Sequence, residues 1–113
     1  MSKPTNLVQG TLAMLILKAV AAEPQHGWAI GQRIRQASGN VLRVNPGALY
    51  PTLHRLEQEG WLEASWRNSE NNRRAKFYEL TPEGKKFLKK EEANWERLAS
   101  AIGLALKTVT SGY

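Results

Sequence analysis

The sequence predicts a mainly α fold with one small β-hairpin, an α+β chain. Apolar residues recur at helical spacing in four separate stretches. One further stretch alternates apolar and polar residues on both sides of a turn-rich segment, as a hairpin does. Pro and Gly stand where the helices would start and stop. With 113 residues the chain has room for one domain with a modest core.

The first helix is expected from about Asn6 to Ala22, where Val8, Leu12, Leu15, Ile16 and Ala19 keep helical spacing. Leu7, Met14 and Leu17 widen the apolar surface to nearly the whole circumference, so this helix has to be covered on more than one side. In so short a chain a second copy is a natural source of that cover, and Pro24 ends the helix. The second helix starts near His26 and ends near Ser38, with Gly39 suited to a left-handed C-terminal position. Ile30 and Ile34 face inward, Arg33 and Arg35 lie elsewhere, and Trp28 is expected in the interior. Val41 to Val44 reads as a short strand.

The third helix has Asn45 as its cap and Pro46 in its first turn. Leu49, Leu53 and Leu56 share one face, and Gly60 closes the helix. Pro51 removes a backbone donor one turn in, which predicts a local distortion near Gly47. Trp61 to Arg67 and Ala75 to Leu80 are the hairpin strands, joined by a polar loop from Asn68 to Arg74. Trp61 and Trp66 point to opposite faces; one belongs to the core and the other under the hairpin or a neighbouring helix. Thr81 and Pro82 start a last helix that continues to about Lys107, roughly 40 Å at about 1.5 Å per residue. Leu88, Trp95, Leu98, Ile102 and Leu106 form its stripe, which is longer than so small a core covers.

The net charge of +6 favours a polyanionic partner. Cysteine is absent, which excludes disulfides, thiolate metal sites and cysteine nucleophiles. Aspartate is absent too, and His26 and His54 have no third partner for a catalytic or metal constellation; His54 and Glu57 alone do not make a site. An enzyme and a cofactor are therefore not expected. Leu12 to Ala22, the longest apolar stretch, is interrupted by Lys18 and falls short of the ~20 residues a membrane span needs. No secretory leader is recognisable, so the expected location is the cytoplasm, away from membranes.

A short connection between the second and third helices makes a helix-turn-helix, whose third helix would enter a major groove. Its leucines fix the inner face. Ala48, Thr52 and Pro51 are then candidates for small or apolar contacts to bases, Arg55 for a guanine edge or a phosphate, and Tyr50 for a phosphate. Asn45 and Gly47, at the helix start, complete the set. Arg73, Arg74 and Lys76 cluster at the hairpin tip and return strand, where they can grip phosphates or the adjacent minor groove. Two readings of Trp95 stay open: dimer core, or the wall of a site for a planar effector. A protein-interaction module that binds no nucleic acid is the competing class, and Arg55 and the basic hairpin speak against it.

These stretches resemble the PadR family of bacterial transcriptional regulators, short C-terminal branch. The resemblance rests on Gly10-Thr11-Leu12 with Leu15-Ile16-Leu17, His26-Gly27-Trp28, and Pro46-Gly47-Ala48-Leu49-Tyr50-Pro51 with Leu53-His54-Arg55-Leu56-Glu57. Arg73-Arg74-Ala75-Lys76-Phe77-Tyr78 and Leu80-Thr81-Pro82-Glu83-Gly84 complete it. Trp28 stands where the family usually has Tyr, and Phe77 where Tyr is frequent. The resemblance implies a winged helix-turn-helix DNA-binding domain over residues 1–80 and a dimerisation helix over 81–113, acting as one compact unit. It implies a homodimeric repressor on double-stranded DNA, often released by a small aromatic molecule. Leu7, Leu12, Leu15, Trp95, Leu98, Ile102 and Leu106 are the expected dimer residues.

Overall fold

The computed structural model describes residues 5–6 and 9–111, in the order β1 (Thr5–Asn6), α1 (Gln9–Ala19), β2 (Gln25–His26), α2 (Gly27–Ala37), β3 (Leu42–Arg43), α3 (Pro46–Gln58), β4 (Leu62–Asn68), β5 (Arg74–Leu80) and α4 (Pro82–Ser111). The fold is mainly α with one small antiparallel sheet, as the residue pattern predicts. Asn6 does not start the first helix. It pairs in parallel with Arg43, as Thr5 does with Leu42. The helix also ends earlier than expected, at Ala19, and Ala21 N donates to the Lys18 carbonyl in a tightened last turn.

His26 starts α2 by accepting a hydrogen bond on Nδ1 from Ala29 N at 3.3 Å. Asn45 starts α3 in the same way, its Oδ1 accepting from Gly47 N at 2.8 Å. Gly39 and Gly60 take φ of +64° and +79°, the left-handed region that ends a helix cheaply only for glycine. The distortion expected near Gly47 does not break α3, which runs unbroken through Pro51. Pro51 costs only the bond to the Gly47 carbonyl, and Gly47 is exposed in the first turn.

Leu12, Ile16, Leu17 and Val20 of the first helical segment meet Ile30 and Ile34 of α2 and Leu49, Leu53 and Leu56 of α3 in one core. Each such side chain contributes about 1.5–3 kcal/mol on burial. Leu62, Tyr78 and Leu88 join the core from the sheet and α4. The sheet runs β2-β5-β4, with His26 opposite Phe77 and Leu62 opposite Leu80. Trp61, just before β4, is partly buried against the core, stacked on Phe87 with ring centroids 3.7 Å apart. Trp66 is not sheltered under the hairpin: it stays 59% exposed, because β4 has by then run past the helices.

Thr81 joins the end of α3 to the start of α4. Its Oγ1 donates to the Gly60 carbonyl at 2.7 Å and accepts from Gly84 N at 2.9 Å. From there α4 packs against α1, where Lys18 pairs with Glu92 at 3.3 Å. From Ala93 to Val109 every residue but Gly103 is exposed.

Candidate nucleic-acid interface

The outward side of α3 is built from the same spacing that makes its inner side. Leu49, Leu53 and Leu56 anchor it, so Ala48, Pro51 and Arg55 are turned to solvent together with Asn45 and Gly47. The residues expected to read a duplex are brought to one face, with one correction. Thr52 is 3% exposed, and its Oγ1 donates to the Ala48 carbonyl at 2.7 Å. Its position lies less than a quarter-turn from the middle of the leucine stripe, close enough to be drawn inside with it. Thr52 therefore offers no surface to a partner.

Tyr50 is half exposed at the edge of this face, its ring over Gly27; a Cβ there would lie 2.7 Å from Tyr50 Cε1. A Cβ at Gly27 would push the Tyr50 ring aside, so glycine lets that ring lie against the start of α2. That contact ties two of the sequence's short motifs into one piece of structure.

Arg73 and Arg74 are exposed at the hairpin tip, which turns through Asn72 at φ +58° with Ser69 N donating to the Arg73 carbonyl at 2.7 Å. The Arg74 guanidinium lies 6.0 Å over the Trp66 ring, so the tip carries a cation held on an aromatic plate. Lys76 differs from expectation. It is half-buried, and its Nζ donates to Glu57 Oε1 of α3 at 3.1 Å. That hydrogen bond holds the ammonium above its ordinary value, and burial pushes the neighbouring Tyr78 phenol up as well. Lys76 thus braces the hairpin against α3, while Arg73 and Arg74 stay exposed.

One more residue differs from its sequence assignment. Trp28 is not interior; it is 67% exposed at the start of α2. The signal was present, since two residues before Ile30 is more than half a turn round a helix. Arg35 and Arg43, which no motif singled out, stand with Trp28 beside Tyr50 around a small cleft.

Of the expected dimer residues, Leu7 lies outside the described residues. Leu12 is 1% exposed and fills its own protomer's core, so it has no surface left for a partner. Leu15 is half-buried and lines a cavity of about 580 Å³ between α1 and α2, with Ala19, Ile34 and Leu42 and the cations Lys18 and Arg33. Trp95, Leu98, Ile102 and Leu106 are all exposed along α4. Among the described residues there is no group of three or more His, Asp or Glu able to hold a metal, and no helix is long and apolar enough to cross a membrane.

The family model for the PadR-like transcriptional regulators matches residues 16–90, which takes in α2, α3 and the whole hairpin. The chain belongs to the PadR-like family. Among similar proteins, the transcriptional regulator Rv3488 of Mycobacterium tuberculosis is 37% identical over 87 residues, covering 77% of this chain and 78% of that one. A PadR family transcriptional regulator from Eggerthella lenta superposes with a TM-score of 0.75 at 33% identity, over 88% of this chain and 84% of its own. A PadR-like transcription factor from Bacteroides fragilis gives 0.69 at 33% identity, over 84% and 89%. This PadR-like protein is thus a DNA-binding transcriptional regulator rather than an enzyme. The exposed face of α3 and the arginine tip of the β4–β5 hairpin, the wing, both lie within the stretch that the family model matches.

Proposed function

We propose that the chain is a repressor that binds a near-palindromic operator as a homodimer in the cytoplasm. Residues 1–80 read DNA and 81–113 pair the two copies, as one compact unit. The observation that carries the DNA reading is the outward face of α3, Ala48, Pro51 and Arg55, standing beside the exposed Arg73 and Arg74. Ala48 and Pro51 suit thymine methyls and Arg55 a guanine edge, while Asn45, Gly47 and Tyr50 lie within the same footprint. Pairing through α4 is supported by two apolar surfaces on one protomer: the stripe of Trp95, Leu98 and Ile102, and the cavity bordered by Leu15. A two-fold pair lets each copy bring both. Trp95 is also the wall proposed for a small planar aromatic effector that releases the DNA.

Footprinting on the DNA upstream of its own coding sequence tests this reading. The expected result is two protected half-sites related by a dyad, about 10 bp apart or a multiple of that. One isolated half-site would speak against a two-fold reader. Arg73→Ala with Arg74→Ala should reduce the slope of log affinity against log salt by about two, one counterion per lost phosphate contact. An unchanged slope would take the wing tip off the contact surface.

A further inference from the structure

Trp28 is the most exposed of the tryptophans, at 67%, yet it is held in place. Its ring stacks on His26 with centroids 6.5 Å apart and planes 25° apart. His26 in turn meets Phe77 of β5 edge-on at 5.3 Å and caps α2 through Nδ1. The indole is therefore a projecting plate anchored to both the sheet and the helix.

Two of the clefts that border this plate are shared with α3 and with the wing tip. One, of about 150 Å³, opens toward α3 and is shared with Arg35, Arg43, Pro46 and Tyr50. The other, of about 380 Å³, opens toward the wing tip and is shared with His26, Ser69, Glu70, Arg73 and Arg74. Four arginines thus flank the ring against the single acid Glu70.

We propose that Trp28 seats the sugar-phosphate strand that separates the two grooves of the bound duplex. The proposal rests on the reading of this chain as a duplex-binding regulator whose α3 enters the major groove and whose wing grips the adjacent minor groove. One backbone strand runs between those two grooves, so whatever stands between α3 and the wing faces it. Trp28 borders both clefts and occupies that place. The strand alternates anionic phosphates with apolar deoxyriboses. The indole matches the alternation: its face packs on the sugar, and its N–H donates to a phosphate oxygen. The arginines on either side take the neighbouring phosphates, which sets the register of the reading helix without reading a base.

The test compares the unmodified chain with Trp28→Ala, Trp28→Phe and Arg55→Ala. Each is titrated in gel shifts with the upstream duplex and with an unrelated duplex of the same length, over a range of salt. Trp28→Ala should weaken both duplexes alike, by about tenfold, the loss of one uncharged contact and its packing. Its salt slope should match the unmodified chain, because a neutral contact releases no counterions. Trp28→Phe, which keeps the ring and loses the donor, should fall between. Phosphate ethylation interference should show one position at the groove boundary that matters to the unmodified chain and not to Trp28→Ala. Retention of affinity within about twofold by Trp28→Ala, while Arg55→Ala loses it, overturns the Trp28 assignment and leaves the duplex-binding reading standing. A change in oligomeric mass on Trp28→Ala overturns it too, assigning the ring to a contact between copies. If the unmodified chain shifts neither duplex, both readings fall.

Discussion

Leu98→Glu with Ile102→Glu is expected to split the proposed dimer into monomers and to weaken binding to the proposed operator by about a hundredfold or more, the loss of a linked second binding event. Both residues are about half exposed on α4 and sit one turn apart, so a carboxylate at each point enters the same apolar stripe. A two-fold interface would then hold four new carboxylates, each costing several kcal/mol to desolvate without a partner. The protomer's own core does not use these positions, so its helix content should be unchanged by circular dichroism. Sedimentation gives the mass, and a gel shift gives the affinity. A double variant that sediments as the unmodified chain does would place the pairing surface somewhere other than this stripe.

Gly84→Ala is expected to be the most damaging single methyl in the chain. A Cβ at this position collides with the Trp61 carbonyl oxygen and comes within 2.9 Å of Leu80 Cδ1. The obstruction is backbone, and that carbonyl already accepts from Thr81 N at 3.1 Å, so it has little freedom to withdraw. The expected cost is about 3 kcal/mol or more. At about 4–8 °C per kcal/mol for a chain of this size, thermal unfolding should fall by at least about 10 °C. Gly10→Ala is the matched control: nothing lies within 4 Å of its Cβ, so alanine there should be neutral or slightly stabilising in α1. Equal melting curves for the two variants would remove the close approach of α4 to Trp61 as a structural requirement.

What could be read from the sequence was whatever local periodicity encodes. Leu49, Leu53 and Leu56 set the inside of α3, and the exposure of Ala48, Pro51 and Arg55 followed from them. Asn45, Gly39 and Gly60 marked helix ends through chemistry that acts within a few residues. Contacts between distant segments were not legible. Nothing local to Lys76 shows that Glu57, across the turn into β4, will bind its charge, and nothing local to Gly27 or Gly84 shows which ring or carbonyl will lie against it. An α1 that is apolar nearly all round does not encode which side its own core takes, so the pattern alone does not place Leu12 in the protomer's core, where it is 1% exposed. Strands of two residues, such as Thr5–Asn6, carry no pattern at all. Trp28 is a different case: its spacing from Ile30 already pointed outward, and the general tendency of tryptophan toward the interior overrode it.

The hydroxyl of Thr81 grips the end of α3 through Gly60 and the beginning of α4 through Gly84, which makes it a fulcrum. α4 is 30 residues long, but Leu88 seats it in the core and Glu92 ties it to Lys18 of α1, so the projecting arm runs from Ala93 to Val109, about 25 Å at helical rise. A tilt of about 5° at its base moves the far end by about 2 Å, a displacement that the contacts of Thr81, Leu88 and Glu92 restrain together. In the proposed dimer the distance and angle between the two α3 faces would accordingly follow how α4 is seated on Thr81 and on α1.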